Sequence, residues 1–316
     1  MPYFSYIIIE TKIRSKMKSV NYSKVIIKSD LTVKTGEETL DSFLSKDGGF
    51  VEKSAIFLTG TPGAGKTTLA IILQRLLKDY KTSLYSREMS ASGIKNQMKR
   101  YEVQHKNAYI ADKEMCNNIS SFIDELNELM PKVVIIDSLQ VIMKEDYCDV
   151  SPEKSAFEII QKLREWTDKN DAVLIVVGHV NKDGEFEGRN TIQHMFDAHL
   201  EMIFDKKKNI RTISWAKNRL GLVGQILYYE FGEESMEFYT KEQYDILKNN
   251  KTLEEYIFEM INTFLNSIDR KSSNYKYFQE ELHEKMDELS KLNKNVFDTN
   301  IETVLILKKL LSKYQI

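Results

Sequence analysis

The chain has little cysteine, almost no net charge and no long apolar run near its start. Two cysteines, Cys116 and Cys148, are too few for a disulfide framework or a four-cysteine zinc site, and both are predicted to be buried small residues. A formal net charge of −2 excludes a global basic footprint, so any nucleic-acid site has to be local. The early apolar run, residues 6–9, is too short for a signal peptide or a membrane span. We therefore expect a cytoplasmic protein without a membrane partner.

The sequence divides into three regions by pattern. Residues 1–30 are basic and lack a clear period, which fits either an arm that contacts a neighbour or nucleic acid, or a partly disordered terminus. Residues 31–240 are predicted to form the core, and residues 241–316 are helical and charged, with no proline. Strand and helix patterns alternate from residue 55 to 177, which predicts an α/β core with a mostly parallel sheet and helices on both faces. Three strand-like segments then predict an antiparallel extension: residues 198–204, 210–216 and 226–231.

A glycine-rich loop follows the first buried strand of the core. Residues 60–67 read GTPGAGKT and fit G-x-x-x-x-G-K-[ST], the phosphate-binding loop. Such a loop points successive backbone N–H groups at phosphate oxygens, and the helix after it adds a favourable dipole. Lys66 is expected to reach the outer phosphates, and the Thr67 hydroxyl is expected to bind Mg²⁺. The loop predicts a bound nucleoside triphosphate, held by Gly60, Thr61, Pro62, Gly63, Ala64, Gly65, Lys66, Thr67 and Thr68.

Two acidic residues end strands that are expected to share one edge of the sheet. Asp137 follows the apolar run 133–136, which is the Walker B arrangement, and would hold Mg²⁺ directly or through water beside Thr67. Glu88 ends the strand after the phosphate-loop helix, so its carboxylate is expected in the same crevice. There it is a candidate general base for the attacking water. The alternative for Glu88 is an exposed glutamate at the start of a helix.

Three further residues are candidates because they follow or end strands. His179 lies at the end of a buried strand and beside a polar loop, where it either senses the γ-phosphate or has a structural role. Lys217 and Arg219 lie in the segment KNRLG, just past a predicted strand. They either reach the nucleotide of a neighbouring subunit as basic fingers, or they are solvated surface residues.

Two expectations concern the segment after Asp137. A polar loop is predicted from residue 144 to 150. A helix is predicted to begin after Ser151 with Pro152 in its first turn, and its apolar positions are expected to be buried: Phe157, Ile160, Leu163 and Trp166.

Taken together, these stretches resemble the ATPase domain of the bacterial RadA (Sms) family, in the RecA-like superfamily of P-loop NTPases. The likeness covers about residues 31–231. It is carried by residues 35–41 (TG-x-x-x-LD), 86–92 (SGEES-A-S), 136–140 (IDSIQ), 178–184 (GHVTKDG), 194–197 (HMVD) and 217–221 (KNRFG). Arg87 and Met89 depart from the second segment. The family's N-terminal zinc finger is not expected here, and a helical region, residues 241–316, stands where the family has a Lon-like domain.

The resemblance implies a RecA-like core that assembles as a hexameric ring or filament, with ATP between subunits. It also implies that Glu88 is the catalytic carboxylate and that Lys217 and Arg219 act in trans. The loops after Gln140 and His179 would then carry single-stranded DNA. The candidate DNA contacts are Lys182, Phe186 and Arg189, although Phe186 is equally suited to anchoring the loop.

The expected function is an ATP-dependent motor on single-stranded DNA in recombination, repair or replication, through branch migration or helicase-like translocation. A recombination or replication protein is an expected partner of residues 241–316. Three alternatives stay open: a nucleotide-dependent switch with a protein partner, as in KaiC-like proteins, a DnaB-like replicative helicase, and a non-catalytic ATP-binding scaffold. The charges of the candidate DNA loop bear on this choice, because Asp183, Glu185 and Glu187 offset its basic residues.

Overall fold

The computed structural model describes residues 32–178, 192, 194–221, 223–249 and 277, together with the backbone of two short strands at residues 7–8 and 26–27. The chain separates into two compact units, Met1–Tyr239 and Thr240–Ile316. In the second unit the description covers one helix, Lys241–Asn249, and the helical residue Tyr277. Among the described helices, none has both the length and the apolar character needed to cross a membrane.

The elements follow one another in an alternating order through most of the first unit. They are β1 (Ile7–Ile8), β2 (Ile26–Ile27), β3 (Thr32–Val33), α1 (Glu38–Leu44), β4 (Phe50–Val51), β5 (Ala55–Gly60), α2 (Lys66–Leu76), β6 (Thr82–Ser86), α3 (Ala91–Arg100), β7 (Ala108–Ala111), α4 (Ile119–Leu129), β8 (Val133–Asp137), α5 (Leu139–Asp146), α6 (Pro152–Lys169), β9 (Val173–Val177), β10 (Ala198–Asp205), β11 (Ile210–Asn218), β12 (Ile226–Phe231), β13 (Met236–Tyr239) and α7 (Lys241–Asn249).

Nine of the described strands form one sheet in the order β13-β12-β11-β10-β5-β9-β8-β6-β7. Neighbours from β10 to β7 pair in parallel, and neighbours from β10 to β13 pair antiparallel. The predicted α/β class, with a mostly parallel sheet and an antiparallel extension, is therefore confirmed. Because β5, β9, β8 and β6 run in the same direction, their carboxyl ends share one edge of the sheet, and polar residues that follow these strands meet there.

Helices cover both faces of the parallel part of the sheet. One hydrophobic cluster joins residues of α1, α2 and α3 to strand residues such as Leu58 and Ile135. The other joins α4, α5 and α6 to Phe57, Val134 and their neighbours. Successive strand residues point to opposite faces, so β8 contributes to both clusters. This explains why its sequence is a continuous apolar run, as expected for a strand that is buried on both sides.

The segment after Asp137 differs from the sequence expectation. Lys144 lies inside α5 and does not begin a loop. The helix forms because Leu139, Ile142 and Met143 recur at helical spacing and are buried against the sheet. Cys148, in the turn after this helix, is exposed, whereas Cys116 is buried as predicted.

Two other expectations needed correction. Phe157 on α6 is 48% exposed, because that helix faces the sheet with Ala156, Ile160 and Leu163 and leaves Phe157 to one side. Strand β11 continues through Asn218, so Lys217 lies within the strand and not past its end.

Candidate active site

The phosphate loop joins β5 to α2 through backbone conformations that favour glycine. Gly65, which precedes the first residue of α2, has a φ of 93°, in the left-handed region where a side chain is strained. A Cβ atom there would lie 2.3 Å from the ring of Phe231, and one at Gly60 would lie 2.1 Å from the carbonyl oxygen of Met202. Glycine is therefore required at these positions by close packing as well as by backbone geometry.

The strands of the antiparallel extension hold the loop from one side. The Thr61 N–H donates to the Met202 carbonyl at 3.0 Å, and the Thr61 hydroxyl accepts from the Phe204 N–H at 2.9 Å. The Tyr229 hydroxyl donates to the carbonyl of Ala64. These contacts from β10 and β12 hold the loop in one conformation. We therefore expect little further ordering of the loop when a nucleotide binds.

The hydroxyl and carboxylate predicted to bind Mg²⁺ lie in direct contact. The Thr67 Oγ1 donates to the Asp137 Oδ2 at 2.8 Å, and Asp137, at the end of β8, is almost fully buried. Oxygen donors of this kind are the ligands that Mg²⁺ prefers. The pair therefore fits the ion, which Thr67 and Asp137 would hold directly or through water. The remaining loop residues lie close by, with Pro62 exposed and Thr68 half-buried in the first turn of α2.

Lys66 lies between the loop and the acidic residues of the neighbouring strands. Its ammonium donates to the carbonyl of Gly60 at 2.9 Å. Burial lowers the pKa of Lys66 from its usual value, and the negative charges of Asp137 and Glu88 oppose that shift. A bound triphosphate would add further negative charge and so favour the protonated form.

Glu88 lies at the same edge as Asp137. Ser86, two residues earlier, is paired with Asp137 in the parallel ladder between β6 and β8. The Glu88 carboxylate accepts a hydrogen bond from the hydroxyl of Ser138, the N-cap residue of α5. The structure thus brings Lys66, Thr67, Glu88 and Asp137 to one edge of the sheet, and Glu88 is exposed there, as its alternative interpretation expected.

The two basic residues of the KNRLG segment have different surroundings. The Lys217 ammonium donates to the carbonyl of Phe196 at 2.6 Å. Burial lowers the pKa of Lys217, and the neighbouring Arg219 adds to the effect while Asp197 opposes it. The Arg219 side chain is exposed, and its backbone N–H donates to the carbonyl of Asp197 at 3.0 Å. Lys217 is therefore engaged within its own chain, whereas Arg219 faces solvent.

Four predicted site residues lie outside the described residues: His179, Lys182, Phe186 and Arg189. Their expected roles as γ-phosphate sensor and DNA contacts stay predictions.

Sequence reasoning missed a buried polar pair beside the loop. The Thr59 hydroxyl, one residue before Gly60, lies 2.6 Å from the Nε2 of His199 on β10. Burial, with a smaller effect of Lys217, lowers the pKa of His199 to about 4, so this imidazole is neutral near neutral pH. The two residues are 140 positions apart, and only the pairing of β5 with β10 brings them together.

Comparisons with known proteins agree with this geometry. A family model described as an AAA domain matches residues 56–150, from the strand before the phosphate loop to the turn after α5. The DNA repair protein RadA of Aquifex aeolicus is 26% identical over 205 residues, which cover 64% of this chain and 45% of that protein. RadA of Streptococcus pneumoniae is 31% identical over 185 residues, covering 58% of this chain and 43% of that protein.

A solved structure extends the comparison to the fold. A KaiC-like protein from the hyperthermophilic archaeon Pyrococcus horikoshii aligns with a TM-score of 0.55 at 18% identity, over 66% of this chain and 98% of that one. The chain spans less than half the length of the RadA proteins it matches. The chain is similar to RadA proteins over 64% and 58% of its length in these two comparisons. Its fold is that of a RecA-like P-loop protein, so the resemblance predicted from its motifs is confirmed.

Proposed function

We propose that this protein is a Mg²⁺-dependent ATPase of RecA type that acts as a motor on single-stranded DNA. The observation that carries the ATPase proposal is the convergence of Lys66, the Thr67–Asp137 pair and Glu88 at one edge of the sheet. These groups meet the needs of phosphoryl transfer, which are phosphate binding, a metal site and a carboxylate that activates water.

Each side chain has a distinct part in the proposed hydrolysis. The loop N–H groups and the Lys66 ammonium bind the β- and γ-phosphates and stabilise the charge that develops on them. Thr67 and Asp137 would hold a Mg²⁺ ion, which when bound would neutralise part of the charge on the phosphate oxygens. Glu88 accepts a proton from the attacking water. The Ser138 hydroxyl donates to the Glu88 carboxylate and so restricts its orientation.

Assembly into a hexameric ring or filament completes the proposal. Arg219 is exposed at the end of β11, where its guanidinium is available to a nucleotide bound by a neighbouring copy. In that role it would stabilise the transferring phosphoryl group from outside, as basic fingers do. Lys217, held by the Phe196 carbonyl, would act beside it. Residues 241–316 are proposed to bind a recombination or replication protein.

Similarity to DNA repair proteins supports DNA as the effector. The proposed contacts are Lys182, Phe186 and Arg189, in the segment after β9 that the sequence predicts to be a loop. A second candidate is a switch whose effector is a protein. It is favoured by the charge balance of this loop, where three acidic residues offset the basic ones. A switch is expected to hydrolyse ATP at the same slow rate with or without DNA.

The test is steady-state ATP hydrolysis with and without single-stranded DNA. We expect severalfold stimulation by DNA, weakened by added salt because phosphate contacts release counterions. The double variant Lys182→Ala/Arg189→Ala is expected to lose the stimulation and to keep the basal rate. The matched control is Lys206→Ala/Lys207→Ala, which removes the same charge from the exposed turn between β10 and β11. A rate of ATP hydrolysis that is the same with and without DNA would favour the switch.

A further inference from the structure

Two adjacent residues, Arg87 and Glu88, contact opposite ends of helix α5. At its start, the N-cap residue Ser138 donates its hydroxyl proton to the Glu88 carboxylate. At its end, the Arg87 guanidinium pairs with Asp146 and, at 3.2 Å, with Glu145. The helix has eight residues and is therefore about 12 Å long. The Glu88 carboxylate and its neighbour Arg87 are thus connected to each other through the whole length of α5, from Ser138 to Asp146.

Arg87 sits at a junction of several elements. Its side chain is 4% exposed and that of Asp146 is 5% exposed. The guanidinium also donates to the carbonyls of Cys116 and Asn117, at 3.4 and 3.3 Å. The second carboxylate oxygen of Asp146 accepts the N–H of Ile119, the first residue of α4, at 3.1 Å. The Arg87–Asp146 pair therefore joins the end of β6, the end of α5 and the start of α4.

Stability alone does not account for this arrangement. Removing two charges from water offsets most of their attraction, so a buried ion pair adds little net stability over apolar side chains. Burial raises the pKa of Asp146, and the charge of Arg87 opposes the rise, so the carboxylate depends on its partner. Such a pair instead fixes the relative positions of its two side chains, because a planar guanidinium can donate to its acceptors in only a few orientations.

We infer that Arg87 is a positioning residue for the proposed hydrolysis. It anchors the end of α5 against the end of β6, so that α5 presents Ser138 to Glu88 in one orientation. The backbone supports the same geometry, since the Arg87 N–H donates to the Asp137 carbonyl at 2.9 Å. Arg87 acts through Glu88, because its own guanidinium is engaged by Asp146 and by the carbonyls of Cys116 and Asn117. The inference rests on the proposed function of Glu88 as the general base.

The test replaces Arg87 with Met, which keeps length and packing but removes the charge. We expect kcat for ATP to fall about 10- to 100-fold, since small misplacements of a catalytic group have effects of that order. The KM is expected to change less than about twofold, because the contacts of the phosphate loop are intact. Arg87→Lys keeps the positive charge but lacks the planar guanidinium, so its kcat is expected to lie between those of Arg87→Met and wild type.

A second background shows whether Arg87 acts through Glu88. In Glu88→Gln, the change Arg87→Met should cause no further loss of kcat, because its target is already removed. The control is Lys132→Met, which breaks an ion pair with Glu52 of 2.6 Å at the opposite edge of the sheet. It is expected to lower the Tm and to leave kcat unchanged.

The outcomes separate this inference from the proposed function. If Arg87→Met lowers the Tm alone, or lowers kcat equally in wild type and in Glu88→Gln, the positioning role is wrong while the ATPase stands. If Glu88→Gln turns over ATP as fast as wild type, the proposed mechanism is wrong and the role of Arg87 with it. Should Arg87→Met fail to fold, Arg87→Lys and Asp146→Asn make the same comparison.

Discussion

The two flanks of the phosphate loop differ in chemical character. On the flank of β8 and β6, three charged side chains influence one another: Lys66 at the start of α2, Asp137 at the end of β8 and Glu88 two residues after β6. On the flank of β10 and β12, aromatic residues support the loop: Phe204, Tyr229 and Phe231. A cation on this second flank, Arg211, is covered by aromatic faces, 3.8 Å from the centre of the Phe204 ring.

This difference leads us to expect different roles for the two flanks. In the proposed mechanism, the polar flank acts on the transferring phosphoryl group, and the aromatic flank supports the loop proposed to bind the phosphates. Substitutions on the polar flank should therefore change kcat, and substitutions on the aromatic flank should change the affinity for ATP. Two predictions test this division, beginning with the largest expected effect, and a third concerns the stability contributed by a buried histidine beside the loop.

The largest effect is expected for Asp137→Asn on the polar flank. The amide keeps the size of the side chain but removes the negative charge that would hold Mg²⁺ beside Thr67. Metal ions stabilise such transition states by several kcal/mol, so we expect ATP turnover to fall by about 100-fold or more. The measurement is hydrolysis at a series of Mg²⁺ concentrations. A full rate at ordinary Mg²⁺ would contradict the assignment of Asp137.

A smaller effect is expected for Tyr229→Phe on the aromatic flank. The change removes the hydrogen bond to the buried Ala64 carbonyl, and an unsatisfied buried acceptor costs about 1–3 kcal/mol. Part of that cost should appear as ATP binding weakened about three- to tenfold, with kcat unchanged. Tyr109→Phe, at a partly exposed position on β7, is the control. A loss of kcat at unchanged affinity would contradict the division between the flanks.

The smallest effect on turnover is expected at His199, whose change should act on stability. Its pKa is lowered to about 4 in the folded chain, from a usual value near 6.5. Between these two pH values, His199 binds a proton more readily in the unfolded chain than in the folded one. The free energy of unfolding therefore has its full contribution from neutral His199 above about pH 6.5 and loses it as the pH falls towards 4. Thermal unfolding of His199→Gln should depend less on pH in this window. If the Tm of variant and wild type changed equally with pH over this window, the lowered pKa of His199 would be contradicted.

Much of the fold could be predicted because its signals are local. All four residues of the apolar run before Asp137 are buried in β8, and a strand buried on both faces can be recognised from its own sequence. The phosphate loop was equally clear from residue type and spacing. Helix α5 was not predicted, because its last three residues are charged, although its buried positions follow a helical period. The face of α6 depends on the sheet beneath it, which explains the error at Phe157.

The site was predictable only in part. Strand order placed Asp137 and Glu88 at one edge, but the contact of Glu88 with Ser138 joins residues 50 positions apart. The partner of Arg87 is 59 positions away. Such contacts depend on strand register and on the helix that was missed, and no spacing rule in the sequence reveals them.

The central claim is that Glu88 is the general base of an ATPase, and one comparison tests it most directly. Single-turnover hydrolysis of Mg²⁺-ATP is measured for wild type, Glu88→Gln and Glu128→Gln, the last at an exposed position on α4. We expect Glu88→Gln to bind ATP normally and to hydrolyse it about 10²- to 10⁴-fold more slowly, while Glu128→Gln behaves as wild type. Equal rates for all three proteins would contradict the account.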